Sequence, residues 1–411
     1  MVREVQEYHP YKALESASTS TTRKRCGWSV AWRSIDAAKA GMALETNRVA
    51  PASTGMALVL LLVGAASASA QTSATLNSGE SVYRAACAAC HGPDGRGAPQ
   101  LTVGFDVALP DFTDCSFNSR EPAADWFAIS HDGGPVRAFD ARMPAFGQAL
   151  TAAQIEMAVA RIKRFCDDPS WPAGELNLPR ALITEKAFPE DEAVLSTTVA
   201  SGTFVNEFLY ERRIGARTQY EVKVPVAVHE GDSGWRRGLG DVAVAMKHAF
   251  HHSLQRGRIF AGAAEILLPT GKENEGLGRG VTVFEPFAAF GQMLPADGFI
   301  QAQIGFEIPF AEDHANEFFW RGVVGKSFVQ GEFGRTWSPM IELLGAKELA
   351  DGESVLWDVV PQVQVTLSKR QHIMINVGVR VPVNERDSRR AQVLTYFLWD
   401  WFDGGLFDGW R

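Results

Sequence analysis

The chain has 411 residues, a formal charge of −8 at pH 7 and 46% hydrophobic residues, enough for about two folded domains. Its acidic balance and the lack of a basic stripe argue against nucleic acid as a partner.

In chain order, the first informative stretch is MALVLLLVGAASASAQ at 56–71. Its apolar run is too short to cross a bilayer as a helix, and it ends in Ala68, Ser69 and Ala70 before Gln71, the small-x-small pattern of signal-peptide cleavage. Export is the expectation, with a mature chain starting near Gln71. The segment ahead of Met56, which includes Met42, is far longer than a usual n-region and reads as an extension from a start codon assigned too far upstream. Residues 1–70 therefore stay out of the fold argument. Past this leader no apolar run reaches the length of a membrane helix.

Of the five cysteines, Cys26 falls in the leader, leaving Cys87, Cys90, Cys115 and Cys166 in an oxidising compartment. Cys87, Cys90 and His91 form C-x-x-C-H, the attachment signature of c-type haem: each thiol adds to a vinyl group and the adjacent imidazole becomes an axial iron ligand. Residues three apart on a helix share a face, so both sulfurs reach one ligand. A thioredoxin-like dithiol is the rival reading, and it wants a βαβ unit that the surrounding sequence does not show. With Cys87 and Cys90 consumed by a cofactor, Cys115 and Cys166 remain as an expected disulfide, against the alternative of two buried free thiols.

A short helix is expected to open near Ser78 and to stop at His91, Gly92 and Pro93, because Gly and Pro end helices. A second opens at Thr151 with Gln154 in a capping-box pattern and carries Ile155, Val159, Ile162 and Phe165 on one stripe. CAACHGPDGRG followed downstream by MPAFGQALTAAQI resembles a class I cytochrome c domain over residues 75–167. The resemblance implies crossed N- and C-terminal helices, one covalent haem c, His91 as proximal ligand and Met143 as distal ligand. That ligand set suits electron transfer. His131 is the rival for the distal position. Arg96, Arg137 and Arg142 are candidates for the haem carboxylates, and none of them is assigned.

Residues 168–190 are rich in Pro and charge and have no periodicity, reading as a linker whose Trp171, Leu176 and Leu178 pin it to the cytochrome surface. From 191 to 411 the period becomes two. Tyr220, Val222, Val224, Val226 and Val228 alternate with polar residues, as do Ile300, Ile304, Phe306 and Ile308. About twelve strands of 10 to 13 residues follow from the turn clusters between them. Their length, polar faces and aromatics near strand ends (Phe318, Phe319, Trp320; Phe397, Trp399, Trp401) favour an outer-membrane barrel with a wet lumen over a soluble β-structure. Pro225 and Pro361 inside strands, and Trp410 as the penultimate residue, count against it.

The pair G-x-G-D at 238–241 and L-P-T-G at 268–271 resembles an outer-membrane transporter-like family associated with phenol degradation, which implies a barrel and a small hydrophobic cargo. His248, His251 and His252 read as a solvated rim, not a metal site. The fold expected is therefore multidomain: a leader (1–70), a small all-α cytochrome c domain (71–167), a linker (168–190) and an all-β antiparallel barrel (191–411). The function expected is one-electron transfer by a haem tethered to the outer membrane, with a periplasmic redox partner and lipid as neighbours. Two other readings stay open: a channel for small hydrophobic compounds with the cytochrome as redox gate or sensor, and a haem enzyme such as a peroxidase.

Overall fold

Ser78 caps the first helix of the computed structural model through a reciprocal pair with Ser81, at the place expected for a helix start. The structure describes residues 76–231 and 234–400; the leader, Gln71, Trp401 and Trp410 lie outside the described residues. The helical part comprises α1 (Gly79–Ala86), α2 (Ala88–His91), α3 (Gln100–Val103), α4 (Cys115–Asn118), α5 (Ala123–Asp132) and α6 (Ala152–Lys163). The Thr151 and Gln154 capping box is present at the start of α6. Helices α1 and α6 cross at Gly79, where a Cβ would stand 2.3 Å from the Met157 carbonyl oxygen. Around this crossing Tyr83, Phe112, Trp126, Ile155, Val159 and Ile162 make the domain's core, with Phe165 against it. Cys115 and Cys166 are joined in a disulfide, Cα atoms 5.0 Å apart. It ties α4 to the end of α6.

Fourteen strands follow: β1 (Glu192–Ala200), β2 (Thr203–Ile214), β3 (Thr218–Gly231), β4 (Gly234–Leu239), β5 (Val242–Ser253), β6 (Arg258–Leu268), β7 (Val283–Leu294), β8 (Gly298–Pro309), β9 (Glu317–Lys326), β10 (Phe328–Val329), β11 (Thr336–Glu348), β12 (Leu356–Thr366), β13 (Ile373–Pro382) and β14 (Gln392–Asp400). The short β4 and β10 only extend hairpins; the other twelve close an antiparallel barrel through β9 with β11 and β1 with β14. The two prolines noted in the sequence, Pro225 and Pro361, each sit where pairing lapses on one side. Pro225 lies where β3 exchanges β5 for β4 as its neighbour, and the β12–β13 ladder skips Val360 and Pro361 without losing register.

Alternation decides which solvent the barrel faces. On β8 the apolar Ile300 and Ile304 are 37% and 53% exposed on the outside, while Gln301 and Gln303 are 2% and 1% exposed inside. A water-soluble barrel would invert this pattern; an apolar exterior with a polar interior is what lipid requires. Phe208, Met246, Ile341, Val377 and Val393 continue the outer band. Near one rim Phe306, Phe318, Trp320 and Trp357 form an aromatic cluster with ring centroids 5.0 to 5.4 Å apart. Trp320 lies flat over Gly345, where any Cβ would clash at 2.3 Å with the indole. Of the aromatics near this strand end, Phe319 faces inward into the core, one residue out of phase with Phe318.

The two rims differ. At one, the turns are 215–217, 254–257, 295–297, 327–335 and 367–372, and β1 begins and β14 ends there. The other carries the loops 269–282, 310–316, 349–355 and 383–391. On that side the two motifs meet: Gly271 N donates to Asp241 Oδ1 at 3.0 Å, Arg279 N to Oδ2 at 2.6 Å, and Thr270 Oγ1 to Gly240 O at 2.7 Å. Their role visible here is to fasten the 269–282 loop.

The connecting segment departs from its expected place. Only its start lies on the cytochrome domain, where Gly174 N donates to Ser119 O at 2.7 Å and Glu175 accepts from Ala123 N at 3.0 Å; residues 176–191 enter the barrel at the short-turn rim and return to it. Leu176 packs with Ala249, Ile259 and Phe287, and Leu178 with Phe299, Val323 and Met340. The unpaired backbone is met by wall side chains. Glu342 accepts from Leu182 N, Ile183 N and Thr184 N at 2.8 to 3.2 Å, Gln303 accepts from Glu185 N at 3.0 Å, and Tyr396 OH donates to Arg180 O at 2.7 Å. Charges are matched as well: Arg180 reaches Glu192 and Glu211 at 2.7 Å each, and Lys223 reaches Glu185 at 3.3 Å. A segment without periodicity thus becomes a plug, because a polar lumen supplies the hydrogen bonds that a strand or helix would have supplied itself. Beside it lies a cavity of ≈ 150 Å³.

Candidate haem site

C-x-x-C-H falls at a break in a helix. Cys87 ends α1, α2 completes one further turn, and Gly92 stops it with φ 75°, a left-handed value that suits glycine. Tyr83 OH donates to Gly92 O at 2.6 Å and Gly97 N to His91 O at 2.9 Å, fixing the loop from both sides. As a result Cys87, Cys90 and His91 line one cleft of ≈ 260 Å³. Across it the Asp140–Pro144 loop contributes Met143, held by Gly134 N donating to Met143 O at 3.0 Å. Phe105, Leu109, Phe112, Trp126, Ile129 and Phe139 make the remaining lining largely apolar.

Electrostatics follow from burial. Desolvation pushes the His91 imidazole down to about 4, so it is neutral and able to ligate at ordinary pH. Its Nδ1 is buried with no hydrogen-bond partner, and its ring stacks on Phe112 at 4.8 Å between centroids. Burial, with Cys90 adding to it, raises the Cys87 thiol to about 11. Two sulfurs, a neutral buried imidazole and a thioether around one apolar cleft fit a covalently held haem.

The rival ligand is not on the cleft wall. His131 turns toward Asp132, with Nδ1 2.7 Å from Oδ1, and stacks between Phe127 and Phe333. Of the three arginines noted in the sequence, Arg96 is exposed beside Asp94 and Asp111. Arg142 borders the cleft and pairs with Asp106 and Asp140. Arg137 is buried on the cleft wall, 2.6 Å from Asp125 and donating to Phe333 O at 2.7 Å.

Sequence reading missed that the barrel helps to build this site. Phe333 belongs to the 327–335 turn, and Arg370, on the 367–372 turn, lines the same cleft with its guanidinium 4.2 Å from the Phe139 ring centroid. His372 places Nε2 2.8 Å from Glu121, another cleft residue, and Arg120 pairs with Asp191. A second cavity of ≈ 550 Å³ lies between domain and barrel mouth and shares Glu121, Asp125, Arg137 and Arg370 with the cleft. Turn residues such as these carry no pattern in the sequence. The three rim histidines hold no common centre: His248 bonds Thr218 at 2.8 Å and His252 approaches Ser170 O at 3.3 Å.

Residues 74–160 match the family model described as cytochrome C oxidase, cbb3-type, subunit III. The N-terminal domain is a cytochrome c domain. No curated protein matches the chain. Solved structures similar to its barrel include the KdgM porin (8% identity, TM-score 0.35, covering 51% of this chain and 99% of that one). An outer membrane channel from Pseudomonas putida F1 is similar at 12% identity and TM-score 0.38, over 54% of this chain and 99% of the channel. The β domain of the Bordetella autotransporter BrkA shows 12% identity and TM-score 0.36, over 52% and 100%.

Proposed function

We propose that this protein is a one-electron carrier fixed by its own barrel to the inner face of the outer membrane. The observation that carries the reading is that Cys87, Cys90, His91 and Met143 share one apolar cleft, on a domain seated at the short-turn rim of a barrel with an apolar exterior. Short turns at that rim, with β1 starting and β14 ending there, support its assignment to the periplasm, since outer-membrane barrels keep long loops outside. When bound, one haem c supplies exchange of a single electron at its iron. Cys87 and Cys90 would hold it covalently, and His91 and Met143 would ligate its iron, a donor set that suits electron transfer. A carrier, not an enzyme, follows, and a periplasmic redox protein is the partner it needs.

A second reading is favoured by the plug. Because residues 174–191 run directly from the cytochrome domain into the lumen, the domain is placed to govern a channel for small hydrophobic compounds. Conductance of the reconstituted protein that follows haem oxidation state would support it.

The primary test is a reduced-minus-oxidised spectrum of protein produced with c-haem maturation factors, for wild type, Met143→Ala and His131→Ala, with membrane fractionation. A c-type spectrum in outer-membrane material, whose methionine-to-iron band is lost only in Met143→Ala, is the expected result. A five-coordinate wild type that reacts with peroxide would instead make the protein an enzyme.

A further inference from the structure

The cleft wall contributed by the barrel has its own chemistry. Arg370 is only 9% exposed, lies on the turn between β12 and β13, and lines the cleft that holds Cys87, Cys90, His91 and Met143. Its guanidinium faces the ring of Phe139, at the start of the loop that leads to Met143.

Resting on the haem reading above, we propose that Arg370 is a positioning residue supplied by the barrel: it holds the carboxylate edge of the haem and the Phe139 loop, so that the membrane anchor sets the redox potential of the cytochrome. The sign follows from charge. Ferric haem carries one more positive charge than ferrous, so a buried cation beside it disfavours oxidation and raises the potential. A guanidinium is suited to the task, being always charged and able to engage a carboxylate and an aromatic face together.

The experiment is a potentiometric titration of the full-length, haem-loaded protein in detergent, with the visible spectrum recorded alongside. Arg370→Gln is expected to shift the ferric-to-ferrous equilibrium about tenfold toward ferric, as expected for loss of a buried charge at an effective dielectric of about 20, a fall of ~59 mV for one electron. Arg370→Lys is expected to recover most of that shift, and Lys272→Gln, at an exposed ion-paired position on the opposite rim, to leave the potential unchanged. An unmoved potential and spectrum in Arg370→Gln would overturn the assignment. Equal falls in the Gln and Lys variants would also overturn it, by showing that shape and not charge matters. Absence of covalent haem from the wild type would remove the site itself, an outcome distinct from a wild-type haem indifferent to residue 370.

Discussion

Arg180, in the segment that leaves the cytochrome domain, places its guanidinium 2.7 Å from Glu211 on the barrel wall and 2.7 Å from Glu192 at the start of the first strand. Both carboxylates are buried. One plug cation therefore bridges two wall acids, with Lys186 3.5 Å from Glu192 and Lys247 3.8 Å from Glu211 adding to the charge balance.

Removing that cation leaves two buried carboxylates with one fewer counter-charge. Arg180→Met is expected to destabilise the detergent-folded protein by about 3 kcal/mol, the low end of the cost of breaking a buried pair, because Lys186 and Lys247 remain beside Glu192 and Glu211. Arg180→Lys should cost less. Denaturant unfolding followed by tryptophan fluorescence measures both, and equal stability of wild type and Arg180→Met would show that water reaches the pair.

Glu342 is the main acceptor for the plug backbone at 182–184. Its replacement by Ala removes those bonds while leaving the outer face of β11 untouched. In planar bilayers the wild type is expected to conduct poorly and Glu342→Ala to open to larger and more frequent conductance steps. An open wild-type channel of ordinary porin size would show that the plug does not close the lumen.

The disulfide between Cys115 and Cys166 spans 51 residues. In the chain-entropy model a loop of this length stabilises by ~4 kcal/mol. Reduction, or Cys115→Ser with Cys166→Ser, should lower the thermal midpoint of the cytochrome domain while leaving barrel unfolding unchanged. A single coincident shift of both transitions would show instead that domain and barrel unfold together.

Lys163 donates to Asn118 O at 2.6 Å and to Glu121 O, and it lies over the Trp126 ring at 4.9 Å. Burial lowers its ammonium to about 8. Between about 8 and the ordinary value of 10.5 the native state binds fewer protons than the unfolded one, so stability rises with pH across this window. Denaturation midpoints taken at several pH values should show that slope in the wild type and lose it in Lys163→Met.

Chemistry carried by adjacent residues was legible in the sequence. C-x-x-C-H is local, and a period of two over Ile300 to Ile308 announces a strand whatever surrounds it. The inward face was legible only as polarity: Gln301 and Gln303 pointed to a wet lumen, whereas Gln301 donates to the plug at Pro179 O and Gln303 accepts from Glu185 N. Leu176 and Leu178 announced burial but were read onto the cytochrome surface, whereas they pack inside the barrel. Their destination depends on residues far along the chain, as does the meeting of Arg370 with Phe139, and neither periodicity nor spacing encodes a contact between two turns.

The plug lies between the haem domain and the first strand, and the barrel closes only when Glu192 to Val199 zip against Asp400 to Val393. Those two strands are the earliest and latest of the wall to be synthesised. Because the plug enters and leaves by the same rim, the globule never has to pass through the cylinder, whenever the seam shuts. Assembly thereby keeps the N-terminal globule, the start of the first strand and the end of the last at one mouth of the barrel.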